Sequence, residues 1–177
     1  MANKEALREL QSRLADRLQA ARSQERSKSW LAVECGGHGF LFPLQEAGEI
    51  FPYAPALPVP HTHPWFVGVA NLRGHLHGVV DLSGFLNIRT TEITYDPAVR
   101  DQAWFVAFNS SLNINSAVLV DRLAGLRSAE QLTEQPADGQ PKPAFVGAHF
   151  KDENNRLWRE LSLTALAAES AFLKIAD

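Results

Sequence analysis

The sequence contains a single cysteine, Cys35, among its 177 residues. One cysteine allows no internal disulfide and no zinc site built from cysteine ligands, and such a composition favours a reducing compartment. Long apolar runs are also missing, since no stretch approaches the roughly 18 residues that a membrane span requires. The first residues, MANKEALREL, are charged and lack the apolar core of a signal peptide. These absences predict a cytoplasmic protein with no direct membrane insertion.

Strong charge of one sign is lacking as well. The chain has 17 Lys and Arg against 20 Asp and Glu, and its net charge is -3. Residues 1–28 hold seven basic and four acidic side chains, which leaves this arm at +3 and the remaining chain at -6. Neither part has the concentrated basic surface of a nucleic-acid binder. We therefore expect no nucleic-acid partner.

The common catalytic motifs are absent too. The sequence has no GxGxxG, P-loop, HExxH or GxSxG pattern. Cys35 has His38 nearby, but Gly36 and Gly37 place both in a hairpin turn, and a lone cysteine is more often inert. Asp81 follows an apolar run, where an aspartate more often caps a turn than acts as an acid or base. The sequence predicts no catalytic residue and no cofactor.

Two histidine pairs leave one alternative open. His61 and His63, and likewise His75 and His77, have the i, i+2 spacing that puts both rings on one face of a strand. If the pairs met, four nitrogens could bind zinc in a metal-dependent enzyme or a metal-binding protein. No carboxylate stands beside either pair to orient the rings, so four surface histidines are the favoured interpretation.

The hydrophobic pattern changes along the chain. Residues 1–29 have apolar positions at helical spacing and predict an amphipathic helix. Residues 30–177 read as many short strands separated by turns, with a polar connector near residues 89–102 and a closing helix capped by Ser162. Because the strands do not alternate with helices, antiparallel barrels or a sandwich are favoured over a parallel doubly wound sheet. The fold class is therefore mainly β.

Two charged residues stand in apolar, strand-like segments. Glu49 precedes Ile50-Phe51, and Arg73 separates the two apolar runs of GVANLRGHLHGVVDL. A single charge in such a run usually marks the solvent face of a strand. An exposed arginine beside apolar residues is equally typical of a binding hot spot, and spacing alone does not separate these interpretations.

The run GVANLRGHLHGVVDL, residues 68–82, resembles the GVxNLRGxxxPVVDL core of the CheW-like adaptor family. Glu49-Ile50 and Val120-Asp121 are similar to further landmarks of that family, and the resemblance covers roughly residues 30–174. The chain length, the N-terminal helix and the SGFLN run after Leu82 are most similar to the pilus-associated, PilI-type branch. The positions that agree within the core are Gly68, Val69, Asn71, Leu72, Arg73, Gly74, Val80, Asp81 and Leu82.

This resemblance implies two packed SH3-like five-stranded β-barrels with an apolar seam, an N-terminal helix and a C-terminal helix. It implies a non-catalytic adaptor between the cytoplasmic tip of a chemoreceptor and the regulatory domain of a CheA-type histidine kinase, at membrane-associated chemosensory arrays. Arg73 matches the receptor-contact position and Glu49 an acidic contact position. The implied partner-binding residues are Glu49, Ile50, Val69, Asn71 and Arg73, and the structural ones are Leu72, Gly74, Asp81, Val120 and Asp121.

The chain departs from the family pattern at several positions. Gly78 stands where the family usually has proline, and Ala47 replaces the valine before Glu49. His75 and His77 occupy positions that seldom hold histidine. Glycine loosens a strand, and alanine removes apolar surface from an expected contact. We therefore expect partner specificity to differ from that of the chemotaxis adaptors.

Overall fold

The computed structural model of the chain describes Glu9 and residues 12–16, 28–89 and 101–177. Within these residues the fold is mainly β, as predicted. Besides the helical residues 12–16, the α-helices are α1 (Leu82–Phe85), α2 (Leu163–Ala168) and α3 (Ser170–Leu173), and short 3-10 helices span Ser110–Leu112 and Ala129–Gln131. The strands are β1 (Ser29–Cys35), β2 (His38–Pro43), β3 (Ala47–Pro52), β4 (Phe66–Leu72), β5 (His75–Asp81), β6 (Trp104–Phe108), β7 (Ser116–Val120), β8 (Arg122–Ser128), β9 (Thr133–Glu134), β10 (Val146–Lys151) and β11 (Leu157–Leu161).

The strands form two sheets. One has six strands in the order β8-β1-β2-β11-β10-β9, and the other has five in the order β3-β6-β7-β5-β4. Most neighbours are antiparallel, but β2 pairs with β11 and β5 with β7 in parallel. The sixth strand of the first sheet, β9, has only two residues.

Each sheet takes strands from both halves of the chain. The six-stranded sheet combines β1 and β2 with the four strands after residue 121, and the five-stranded sheet combines β3, β4 and β5 with β6 and β7. The connector predicted near residues 89–102 therefore joins strands of the same sheet and does not separate one sheet from the other. Residues 90–100 of this connector lie outside the described part of the chain.

Strict alternation of side chains divides the interior into three apolar clusters. In β1, Leu31 and Val33 face the space between the sheets, whereas Trp30 and Ala32 face the interior of the six-stranded sheet. The buried strands β6 and β7 alternate in the same way between this shared space and the interior of the five-stranded sheet. The largest cluster thus lies between the sheets, as expected for two small barrels joined by an apolar seam.

The C-terminal helices close the seam. Ser162 caps α2 by accepting a hydrogen bond from the Ala165 N–H at 3.1 Å, which confirms the predicted cap. The Glu46 carboxylate also accepts from the Leu163 N–H at 2.6 Å, so the first turn of α2 is held by a residue of the β2–β3 turn. Phe172 in α3 is buried in the seam cluster.

The N-terminal prediction is only partly covered by the structure. Residues 12–16 are helical and exposed, and Leu14 of the predicted apolar stripe is 52% exposed. Ser29 begins β1. The remaining positions of the helix predicted over residues 1–29 lie outside the described residues, so that helix stays a prediction. None of the helices in the described ranges has the length and apolar character needed to cross a membrane.

Candidate partner-binding surface

The β4–β5 hairpin ends in a two-residue turn formed by Arg73 and Gly74. Leu72 is paired with His75, and both turn residues have positive φ, 53° and 83°. A type I′ turn requires this conformation, which glycine adopts easily and arginine does not. The Asn71 side chain stabilises the turn, because its Oδ1 accepts the Gly74 N–H at 2.8 Å.

Arg73 bridges the two edges of the five-stranded sheet. Its guanidinium donates to Glu49 on β3 and lies 5.9 Å from the ring centre of Phe51, also on β3. Since β3 and the hairpin strand β4 are opposite edge strands of this sheet, the contacts show that the sheet curls into a barrel. The cation–π contact holds the guanidinium in place.

Both members of this ion pair remain accessible. The Arg73 side chain is 74% exposed and that of Glu49 is 54% exposed. An ion pair in that setting contributes about 0–1 kcal/mol to stability. Arginine has five N–H donors in a fixed fork, and one guanidinium nitrogen bonds to Glu49. The pair is thus a preformed, polar contact point and adds little to folding.

A cleft of about 600 Å³ opens next to the pair, at the mouth of the five-stranded barrel. Phe51 and Leu72 supply apolar surface, and His75 and His77 stand at the hairpin side. His77 lies 6.5 Å from Phe51, ring centre to ring centre. The cleft thus combines apolar and polar walls beside Glu49, which belongs to its lining.

The opposite face of the hairpin carries exposed apolar side chains. Leu76 is 65% exposed, and Leu57, which exchanges two backbone hydrogen bonds with Val69, is 74% exposed. Leu76 alternates with His75 and His77 along β5, so its side chain points away from the cleft. Ile50, 38% exposed on β3, neighbours Glu49. The hairpin therefore presents two chemically different faces.

Asp81 is a buried cap, as predicted. Its carboxylate accepts from the Ser83 N–H at 3.2 Å and from the Ser83 hydroxyl at 2.8 Å, at the start of α1. Burial raises the pKa of Asp81, although the hydrogen bonds from Ser83 and the charge of Arg89 oppose this shift. Both hydrogen bonds of the carboxylate serve the local turn, which agrees with a structural role.

Asp121 joins the two sheets. It follows β7 of the five-stranded sheet, and its carboxylate accepts from the Gly36 N–H in the β1–β2 turn of the other sheet at 2.8 Å. It also pairs with Arg89, whose side chain is 22% exposed against 31% for Asp121. Val120 is fully buried in the seam beside Asp121.

The other two predicted structural residues belong to the β4–β5 hairpin. Leu72 is buried within the five-stranded barrel, and Gly74 completes the hairpin turn.

The alternative of a histidine metal site is not supported. His63 stacks on Trp65 with 5.3 Å between ring centres, and His61 belongs to the same loop, whereas His75 and His77 line the cleft beside Phe51. No group of three or more His, Cys, Asp or Glu side chains able to hold a metal occurs in the part of the chain that the structure describes. The two histidine pairs lie on separate elements, so the i, i+2 spacing within each pair does not bring four imidazoles together.

The position of the Cys35 thiol in the seam makes it a poor candidate for a nucleophile. Cys35 is completely buried in the seam. Burial raises the pKa of the thiol to about 12, with the charges of Asp121 and Asp81 adding to the shift. A thiol that stays protonated at neutral pH is a poor nucleophile, which agrees with the prediction that this lone cysteine is unreactive.

Three side-chain contacts were not predicted from the sequence. Phe51 supports the guanidinium of Arg73, Asn71 holds the turn, and Arg89 pairs with Asp121. The Glu49-x-Phe51 spacing could have indicated the contact of Phe51 with Arg73, because residues two apart share a strand face.

Gly78, which stands where the family usually has proline, donates its N–H to the Asn115 carbonyl at 2.9 Å. Proline could not make this bond.

Comparison with known proteins agrees with this geometry. A family described as the CheW-like domain matches residues 29–171. The chain belongs to this family, and it is an adaptor of chemotaxis or pilus signalling.

Two curated proteins and one solved structure are similar to this chain. The chain is 29% identical to Protein PilI of Pseudomonas aeruginosa over 168 residues, which cover 93% of this chain and 89% of that protein. It is 30% identical to Chemotaxis protein CheW of Rhizobium meliloti over 113 residues, covering 64% of this chain and 65% of that protein. The crystal structure of the scaffolding protein TtCheW from Thermoanaerobacter tengcongensis has the same fold, with a TM-score of 0.61 and 16% identity over 77% of this chain and 85% of that one.

Proposed function

We propose that this chain couples the cytoplasmic tip of a chemoreceptor to the regulatory domain of a CheA-type histidine kinase, in signalling for type IV pilus twitching motility. It catalyses no reaction itself and works in the cytoplasm, at membrane-associated arrays that it joins through its partners. The similarity to PilI along almost the full length of both chains favours the pilus pathway. The observation that carries the proposal is the exposed Glu49–Arg73 pair at the turn of the β4–β5 hairpin.

The receptor contact is assigned to the cleft side of the hairpin. Arg73 offers unused N–H donors in a planar fork, which suits a carboxylate or amide oxygen of a partner. Glu49 and Phe51 hold this fork in place before binding, so less conformational entropy is lost when the partner arrives. Asn71 contributes by fixing the turn. An arginine beside apolar surface is a typical hot spot.

The kinase contact is assigned to the other face. Coupling two partners at once requires two surfaces that can be occupied together. Leu57, Val69 and Leu76 offer an apolar patch on the face away from the cleft, and Ile50 extends the exposed apolar surface on β3. Apolar side chains that remain this exposed suit burial by a protein partner.

Charge reversal tests the receptor contact. Arg73→Glu should weaken capture of a purified receptor-tip fragment by about thirtyfold or more, the effect of losing a hot-spot residue. Arg13→Glu is the matched control, because Arg13 also forms an exposed ion pair, with Glu9, and is 76% exposed. Unchanged capture by Arg73→Glu, or an equal loss with Arg13→Glu, would contradict the assignment.

A substitution on the apolar patch tests whether the two surfaces are separate. Leu57→Asp should reduce capture of the CheA-type kinase while leaving receptor-tip capture intact, since Leu57 lies outside the cleft lining. Circular dichroism of the variant checks that the fold is retained. Loss of both partners in a folded variant would show that the two surfaces are not independent.

A further inference from the structure

A second and larger groove shares no lining residue with the cleft beside the β4–β5 hairpin. Its volume is about 990 Å³, at the upper end of the range for small-molecule sites. It runs between the six-stranded sheet, helix α1 and the C-terminal segment. The apolar residues of its lining include Phe40, Trp65, Phe85, Leu86, Phe145 and Leu161.

One wall of this groove carries a basic pair on neighbouring strands. His149 on β10 is directly opposite Arg159 on β11, and Arg159 is paired in turn with Phe40 on β2. Side chains in register on adjacent strands project to the same face, and all three line the groove. Arg159 and His149 are half-buried. A guanidinium thus stands beside an imidazole and an aromatic ring.

Neither basic side chain is satisfied by the protein. Within residues 28–89 and 101–177, the side chains of Arg159 and His149 have no hydrogen-bond or ion-pair partner. Every other partly buried arginine in these residues has a carboxylate or an aromatic ring against it. Removing a guanidinium from water without a counter-charge is unfavourable. The arrangement is explained if the counter-charge arrives with a ligand.

We propose that this groove binds a small amphipathic monocarboxylate. The planar fork of Arg159 matches both oxygens of a carboxylate, and His149 offers a further ring N–H. The apolar body of the ligand lies against Trp65, Phe85 and Phe145. A concave, mainly apolar site with a few convergent polar groups is the usual form of a small-molecule site.

The charges around the rim limit the ligand to a single negative charge. The lining as a whole is balanced, so it does not attract polyanions such as nucleotides. Arg159 is the basic group placed on the sheet wall, whereas Lys142 is occupied, donating to the Gly147 carbonyl at 2.7 Å. The charged residues that line the groove are Lys142, Arg159 and Lys174 against Asp138, Glu169 and Asp177.

Nuclear magnetic resonance on the full chain tests the proposal with defined probes. The probes are 3-phenylpropionate and decanoate, each compared with its neutral primary amide. Saturable shifts are expected at the methyl groups of Leu86, Val146 and Leu161 and at the Trp65 indole. Each amide should bind about tenfold more weakly than its acid, the effect of one charge-assisted hydrogen bond.

Substitutions assign the carboxylate contact. Arg159→Met should weaken binding of either acid about tenfold or more, with little effect on binding of the amides. Lys151→Met is the control, since Lys151 is on the same hairpin but does not line the groove. If Arg159→Met does not fold, the acid–amide difference in the native chain still decides the point. The proposal is overturned if no saturable shift occurs up to about 5 mM, or if acid and amide bind equally.

Discussion

The tip of the β4–β5 hairpin and the junction between the two sheets each contain an arginine paired with a carboxylate. At the tip, Arg73 and Glu49 are 74% and 54% exposed; at the junction, Arg89 and Asp121 are 22% and 31% exposed. The junction carboxylate also accepts a backbone N–H, from Gly36 of the other sheet. The same chemistry thus occurs in two environments of different dielectric.

This difference assigns the two pairs to different tasks. Water screens the exposed pair, so breaking it removes little stability. The junction pair is shielded, and removing one partner leaves a poorly solvated charge behind. We therefore expect the tip to govern partner binding and the junction to govern folding.

Loss of the junction carboxylate should have the largest effect on stability. Asp121→Ala removes the bond to Gly36 and the direct ion pair of Arg89, so we expect a loss of about 3 kcal/mol. Urea unfolding followed by tryptophan fluorescence measures it. A loss below about 1 kcal/mol would place the junction pair in the same class as the exposed pair.

The next effect concerns Glu34, which receives hydrogen bonds from both Arg122 and Arg156. Burial alone would raise the pKa of Glu34, but these two arginines outweigh it and hold the pKa below its ordinary value. A carboxyl with a lowered folded-state pKa adds stability above its unfolded pKa of about 4.3, and that stability is lost as the pH falls through the folded pKa. Glu34→Gln should therefore cost about 1–2 kcal/mol at pH 7, and the cost should shrink in acid.

Asp81 should show the opposite pH dependence. Burial raises its pKa in the folded state, so its ionised form weakens folding above that pKa and the penalty disappears as the pH falls. Asp81→Asn keeps an acceptor for the Ser83 N–H and removes the titration. The stability of the native chain relative to this variant should increase on acidification through the raised pKa. Chemical unfolding of both proteins between pH 3 and pH 7 would detect it, and a parallel dependence would contradict the sign.

The smallest effect on stability is expected at the hairpin tip. Arg73→Gln removes the ion pair with Glu49 and the contact with Phe51, yet the free energy of unfolding should change by no more than about 1 kcal/mol. Thermal unfolding of Arg73→Gln and Asp121→Ala under the same conditions compares the two losses of stability directly. A loss as large as that of Asp121→Ala would show that Arg73 holds the barrel closed.

Much of the fold could be predicted from local patterns. The hairpin around Gly36-Gly37, the strands flanking Arg73-Gly74 and the caps at Asp81 and Ser162 follow from turn and capping chemistry that acts over a few residues. The pairing of β2 with β11 could not be predicted, because it joins segments more than a hundred residues apart and no local rule specifies it.

The candidate site was predicted less completely. Arg73 and Glu49 follow from a motif and a single charge in an apolar run. Their direct contact depends on the curling of the five-stranded sheet, which brings its two edges together. Phe51 and Arg89 act only through that three-dimensional arrangement. The histidine pairs show the converse, since correct spacing in the chain brought no shared site.

A charge-swapped variant, Glu49→Arg with Arg73→Glu, tests the division of tasks most directly. The swap restores an ion pair between β3 and the hairpin but reverses the charges that a partner meets. We predict that the variant unfolds within about 1 kcal/mol of the native chain and fails to capture the receptor-tip fragment. Capture at native strength by the swapped protein would contradict the account, because the pair would then act only by closing the barrel.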